Sequence, residues 1–170
     1  MIVRVLSVLL LAPVAAFAGS SEHPRGKMVG AVAAPGEIPV VTLHAEGAQL
    51  YECKAGADGK LVWTFREPIA ALFQDGRTVG RHYAGPTWEN VDGSAVTGKV
   101  VGSIPGRTAN DVALLKLEVV SRRGDGVLTP ATTVQRLNTV GGALAGPCET
   151  ASALRAVPYS ADYAFLRKAD

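Results

Sequence analysis

AQLYECKAGADGKLVWTF, residues 48–65, is the stretch that decides the fold class. Ala48 to Cys53 runs in near alternation of apolar and polar side chains, the period of a half-buried strand. Gly56-Ala57-Asp58-Gly59 then supplies a turn, and Leu61-Val62-Trp63-Thr64-Phe65 returns as a second apolar and aromatic run. Two such runs around a Gly/Asp turn spell a β-hairpin.

The same punctuation recurs on both sides. Ile38 to Leu43 precedes the hairpin, with Gly47 as a break. Thr78 to Tyr83, Thr87 to Val91 and Ser94 to Val101 follow it, separated by Gly85-Pro86 and Asp92-Gly93 and closed by Ile104-Pro105-Gly106. In VALLKLEVV (112–120), Leu115, Leu117 and Val119 alternate with Lys116 and Glu118, which is a strand period. TTVQRLNT (132–139) is rich in Thr and Val, and LRAVPYSADYAFL (154–166) is the last strand, its Pro158 marking an edge or a bulge. One segment reads as helix, EPIAALF (67–73): Pro68 suits a first helical position, Ala70, Ala71 and Leu72 propagate well, and Asp75-Gly76 ends it. The expectation is an all-β domain, an antiparallel barrel or sandwich of seven to nine short strands with one short helix. The order contains no βαβ unit and no glycine-rich loop between a strand and a helix, so a dinucleotide-binding or P-loop fold is not expected.

The chain opens MIVRVLSVLLLAPVAAFA, with Arg4 its one charge and Ala16-Phe17-Ala18 at its end. That is a signal peptide over residues 1–18, with cleavage after Ala18. Its apolar run is shorter than the roughly 20 residues a membrane-spanning helix needs. Residues 19–37, rich in Gly, Pro and small side chains, read as a flexible leader, and 38–167 as a single β domain. The predicted location is exported, periplasmic or secreted. Removing Arg4 lowers the formal charge from +2 to +1, which gives no electrostatic reason to bind nucleic acid. The chain has two cysteines, Cys53 and Cys148. In an oxidising compartment they are expected to pair with each other, closing a long loop worth about 4–5 kcal/mol in the chain-entropy model.

Several words occur in one order: GAQLYEC (47–53), WTF (63–65), VGRHYAGPTWENVDGS (79–94), TVQRLNTVGG (133–142), Cys148 and VPYSADYAF (157–165). Together they resemble the family of exported proteins labelled DUF3455, over about residues 38–166. The resemblance implies export in bacteria or fungi and no settled activity. Some fungal relatives carry a malate dehydrogenase label, for which this chain has no dinucleotide fingerprint. One departure is VALLKL at 112–117, where the family leads one to expect a Trp. A ligand pocket built on that Trp would differ here.

The candidate chemistry lies on presumed strands. His82 near Glu89 can serve as a general base or a metal ligand, with His44, Glu52, Asp92 and Asp162 as further ligands, although none has metal-site spacing. In a strand His82 and Tyr83 face opposite sides. The plain structural alternative is a corner in which Tyr83 and Trp88 pack. Asn90, Asp92 and Ser94 faintly echo a calcium loop, against which stands a simple Asp-Gly hairpin turn. Ser94 is not in a nucleophile elbow. Gln49, Tyr51, Gln135, Arg136, Asn138, Tyr159, Asp162 and Tyr163 either line a cavity or form a solvated face with an Arg136–Asp162 or Arg136–Glu52 pair. The expected function is an exported domain binding a small molecule or glycan through Tyr51, His82, Tyr83, Trp88, Glu89, Arg136 and Tyr159. No metal and no particular cofactor is assigned. The alternatives are a metal-dependent or His-assisted enzyme centred on His82, and an envelope-associated structural protein without a ligand.

Overall fold

The computed structural model describes residues 30–169. The predicted signal peptide and the first part of the predicted leader lie outside the described residues. Among the described residues there are eight strands and no helix. They are β1 (Glu37–Ala55), β2 (Leu61–Gln74), β3 (Arg77–Tyr83), β4 (Thr87–Asn90), β5 (Ala95–Ile104), β6 (Leu114–Arg123), β7 (Thr133–Gly141) and β8 (Leu154–Lys168). Each pairs antiparallel with the next, and β1 also pairs with β8, so the single sheet closes into a barrel. Closure leaves no edge along most of the sheet.

The predicted helix at 67–73 is corrected to the second half of β2. Pro68, Ala70 and Leu72 point inward and are buried, while Ile69 stands outward at 56% exposure. That is the period of a strand, and two small alanines hide it in the sequence. Pro68 is tolerated because β2 pairs with β3 only from Ala70 onward, so its missing N–H leaves no ladder bond unmade on that side. The break expected at Gly47 is absent too: β1 runs straight through it. Gly47 is needed for close approach. A Cβ there would lie 2.1 Å from the Ile69 carbonyl oxygen and 2.5 Å from Ala70 Cα.

Odd-numbered turns (β1–β2, β3–β4, β5–β6, β7–β8) collect at one end of the barrel and even-numbered turns at the other. The even end is plugged. Leu128 and Ala131, from the β6–β7 connection, are fully buried against Leu43, Leu72, Trp88, Leu117, Val134 and Phe165. Residues 30–36, expected to belong to a flexible leader, instead lie along the outer face of β5–β7. Val32 is buried there, its carbonyl accepts from Gln135 Nε2 (2.6 Å), and the Ala33 carbonyl accepts from Lys116 Nζ (3.1 Å). The predicted Cys53–Cys148 disulfide is present, spanning 95 residues. No helix among the described residues is long and apolar enough to cross a membrane.

Candidate functional site

The odd end of the barrel holds a cavity of about 780 Å³. Its walls come from the β1–β2 hairpin that overhangs the mouth (Gln49, Tyr51, Phe65, Pro68), from β7 (Arg136) and from the rim loops at 109–113 and 143–145. The overhang arises because β1 and β2 pair with each other as far as Ala55 and Leu61, well beyond the β2–β3 ladder. The β7–β8 loop folds across this hairpin and is stapled to it. Cys148 N–H donates to Leu61 O, Trp63 N–H to Gly146 O and Ser152 N–H to Cys53 O, alongside the disulfide itself. Tyr51 ties the rim from inside, its hydroxyl donating to Gly142 O (2.8 Å) and accepting from Leu144 N–H (3.2 Å).

The polar groups at the cavity differ in what they have left to offer. Arg136 donates its Nε–H to Ala113 O (2.9 Å), and no carboxylate among the described residues pairs with it. Gln49 is 1% exposed and its Nε2 has no hydrogen-bond partner among the described residues. Asp111 is already occupied, Oδ1 by Gly141 N–H (2.7 Å) and Oδ2 by the Thr108 N–H and hydroxyl. Those bonds, the one from Gly141 foremost, hold its carboxyl below the usual range. Arg66 at the entrance is paired with Glu67 (3.2 Å). Beneath the cavity Tyr159 and Tyr163 bring their hydroxyls to 3.4 Å. Burial pushes both phenols upward, so they are neutral hydrogen-bonding groups, and the positive charge of Arg136 opposes that shift in each.

His82 lies between this cavity and the apolar core. Its ring stacks on Trp88 (centroids 4.5 Å apart, planes 5° apart) and packs against Tyr163. Nδ1 is 2.8 Å from the Thr87 carbonyl oxygen, an acceptor, so Nδ1 carries the proton and Nε2 keeps its lone pair. Burial, with a smaller contribution from Arg136, lowers the His82 pKa to about 3 against the raising effect of the Thr87 bond. The ring is therefore neutral at ordinary pH.

The barrel brings together only part of the predicted site. Tyr51, His82 and Arg136 line the cavity, and Tyr159 lies under it. Trp88 is sealed in the core at 1% exposure and offers no surface to a ligand from outside. Tyr83 and Glu89 are on the outer face. Glu89 accepts from the Tyr83 hydroxyl (2.8 Å), Arg81 and Arg123, which holds its pKa low, the Tyr83 bond first. The pairing of His82 with Glu89 is thus not assembled, because Arg81↔Glu89 and His82↔Trp88 are successive register pairs pointing opposite ways. An unbroken strand period would put Arg136 and Asn138 on one face, but a register shift after Leu137, with Asn138 at φ 49°, separates them. Asn138 bonds outside to Asp162, which also meets His44, so neither expected Arg136 pair forms. Glu52 is paired with Lys54. Among the described residues no group of three or more His, Cys, Asp or Glu can hold a metal ion.

Asp92 and Ser94 lie at the plugged end. Asp92 accepts from Ser94 N–H and hydroxyl and from Val127 N–H (2.8 Å), and Ser94 Oγ accepts from Leu128 N–H (3.2 Å). They clamp the plug loop rather than a cation or a nucleophile. The residues not anticipated from sequence are the rim positions Asp111 and Leu144, which sit in loops without periodicity, and Val112, which opens a run that reads as a strand in sequence but precedes β6. Phe65 and Pro68 stood in recognised segments, but nothing in their spacing marked them as cavity walls.

No curated protein and no solved structure matches the chain. The family model described as "Protein of unknown function (DUF3455)" matches residues 34–167, most of the chain and all eight strands. The chain belongs to the DUF3455 family.

Proposed function

We propose that this protein is an exported binding domain that takes a small organic molecule into the open mouth of its barrel. The observation that carries this reading is the union, in one cavity of about 780 Å³, of apolar walls with a buried Gln49 amide nitrogen that has no partner among the described residues. Pockets for small ligands are typically of ~300–1,000 Å³, mostly apolar, with a few placed polar groups. A buried donor left unsatisfied costs about 1–3 kcal/mol, which a ligand acceptor would recover. Export is supported by the formed disulfide, which persists in oxidising compartments. A glycan has weaker support than a compact molecule, since Trp88, the expected stacking platform, is enclosed.

The test is a fragment library followed by NMR on the mature, oxidised protein, reading the Gln49 side-chain amide and the His82 ring. Fragments that bind in the mouth are expected to shift both signals and to be blocked by Leu144→Trp, which fills the rim. If no fragment moves either signal, the reading is lost.

A further inference from the structure

We infer that the ligand is a monocarboxylate with an apolar body, its carboxylate seated on Arg136 and Gln49. This inference rests on the reading of the mouth as a ligand site and adds the chemical class. The charges lining the cavity are Arg66, Asp111 and Arg136. Arg66 has its Glu67 partner, and Asp111 has both oxygens bonded into its own loop. Of the two cations, Arg136 alone lacks a carboxylate within ion-pair distance among the described residues. Its Nε–H is anchored on Ala113 O, which holds the guanidinium beside Tyr163 with no carboxylate among the described residues on its terminal nitrogens. A guanidinium so held matches a planar carboxylate two bonds at a time.

Gln49 supplies the second donor. Its buried Nε2 has no partner among the described residues, and Gly142 lies close by, where a Cβ would come within 3.0 Å of the Gln49 Cγ. Gln49 and Arg136 both line this one cavity, so the two donors face the same ligand space. One unpaired cation beside an amide suits one negative charge. A phosphate dianion would bring a second charge to a cavity that already contains the Asp111 carboxylate. Above the floor Phe65, Pro68, Val100, Leu115 and Leu144 give an apolar wall for a hydrocarbon or aryl body.

The experiment titrates the mature, disulfide-bonded protein by calorimetry with 3-phenylpropionate, indole-3-acetate and octanoate, each beside its primary amide. At least one acid is expected to bind, with its amide about tenfold weaker or worse, the difference between a charge-assisted and a neutral pair of hydrogen bonds. Arg136→Gln is expected to weaken the acid by about the same factor and leave the amide within about twofold. Should Arg136→Gln fold poorly, the acid–amide comparison on the natural protein stands by itself, and Arg136→Lys, which keeps the charge but loses the fork, should weaken the acid less than Arg136→Gln would. Equal binding of acid and amide, both blocked by Leu144→Trp, would overturn the carboxylate while leaving the mouth as a ligand site. No binding by any of the acids would also overturn it, and the fragment screen then decides the wider reading independently.

Discussion

His82 is a buried imidazole held by a stacked Trp88, a Tyr163 edge and one backbone carbonyl, and its protonation is linked to folding. Its pKa of about 3 lies far below that of an unfolded-chain histidine. Above about pH 6.5 the ring is neutral in both states and contributes nothing to pH dependence. Between there and pH 3 the unfolded chain takes up a proton that the native ring refuses, so stability falls as pH falls. The loss from this group is about 2 kcal/mol between pH 7 and pH 5. His82→Phe keeps a ring against Trp88 and removes the titration. Urea denaturation at the two pH values should show that increment in the natural protein and a much flatter response in the variant. The variant itself should be about 1–3 kcal/mol less stable at pH 7, because Thr87 O loses its partner. An unchanged pH response in His82→Phe would show that other groups carry the acid sensitivity. From the sequence, the opposition of His82 and Tyr83 across one strand was legible by period alone. Which of the two faced inward was not, because a strand's period says nothing about the side on which the sheet closes.

The elements divide by how strongly their sequence displays a period of two. β6 and the hairpin of β1 and β2 were readable because large apolar residues alternate with charged or polar ones. The second half of β2 was not, because Pro68, Ala70 and Leu72 face Ile69, Ala71 and Phe73, apolar on both sides and small in the middle. Local propensity there favours a helix, and the ladders to β1 and β3 override it. Asn138 broke the face assignment of β7 for a related reason: a bulge leaves no mark in composition. The loop between β6 and β7 is held by chemistry that did show in the sequence, Asp92-Gly93-Ser94, though its purpose was hidden. Burial is the largest single influence on Asp92 and would raise its pKa. The bonds from Ser94, Val127 and Asn90 together outweigh it and bring the pKa down to about 2. The stability gained from this carboxylate is present above its unfolded value near 3.8 and is lost as pH drops toward 2. Asp92→Ala should cost about 1–2 kcal/mol and raise amide exchange at Val127 and Leu128, with β1 and β8 little changed. Gly126 belongs to the same device, since a Cβ there would lie 2.3 Å from Asp92 Oδ2. Exchange at Val127 and Leu128 that stays slow in Asp92→Ala would mean that the burial of Leu128 alone retains the plug.

At the scale of the whole barrel the two ends are built for different purposes. The even end is filled by its own chain through Leu128 and Ala131, so the core beneath it is continuous with the plug. The odd end is held open, and the disulfide is placed at that end rather than through the core. Cys53 stands on the overhanging part of β1 and Cys148 on the loop whose neighbours Ala143, Leu144 and Ala145 form the rim. The bridge thus acts twice. By closing a loop of 95 residues it restricts the unfolded chain, worth up to about 4–5 kcal/mol in the chain-entropy model. It also fixes the rim against the hairpin, where the backbone bonds to Leu61 O and Gly146 O are few. The Cys53→Ser, Cys148→Ser double variant should therefore lose global stability by up to that amount and, in its native state, show amide exchange that rises more at Leu144 and at position 148 than at Leu117 in the core. Its affinity for any molecule bound in the mouth should fall with the loosened rim, since a site formed part of the time binds in proportion to that fraction. If exchange rises equally at Leu117 and Leu144, the bridge stabilises the barrel as a unit and the open end owes its shape to Tyr51 and its two rim hydrogen bonds instead.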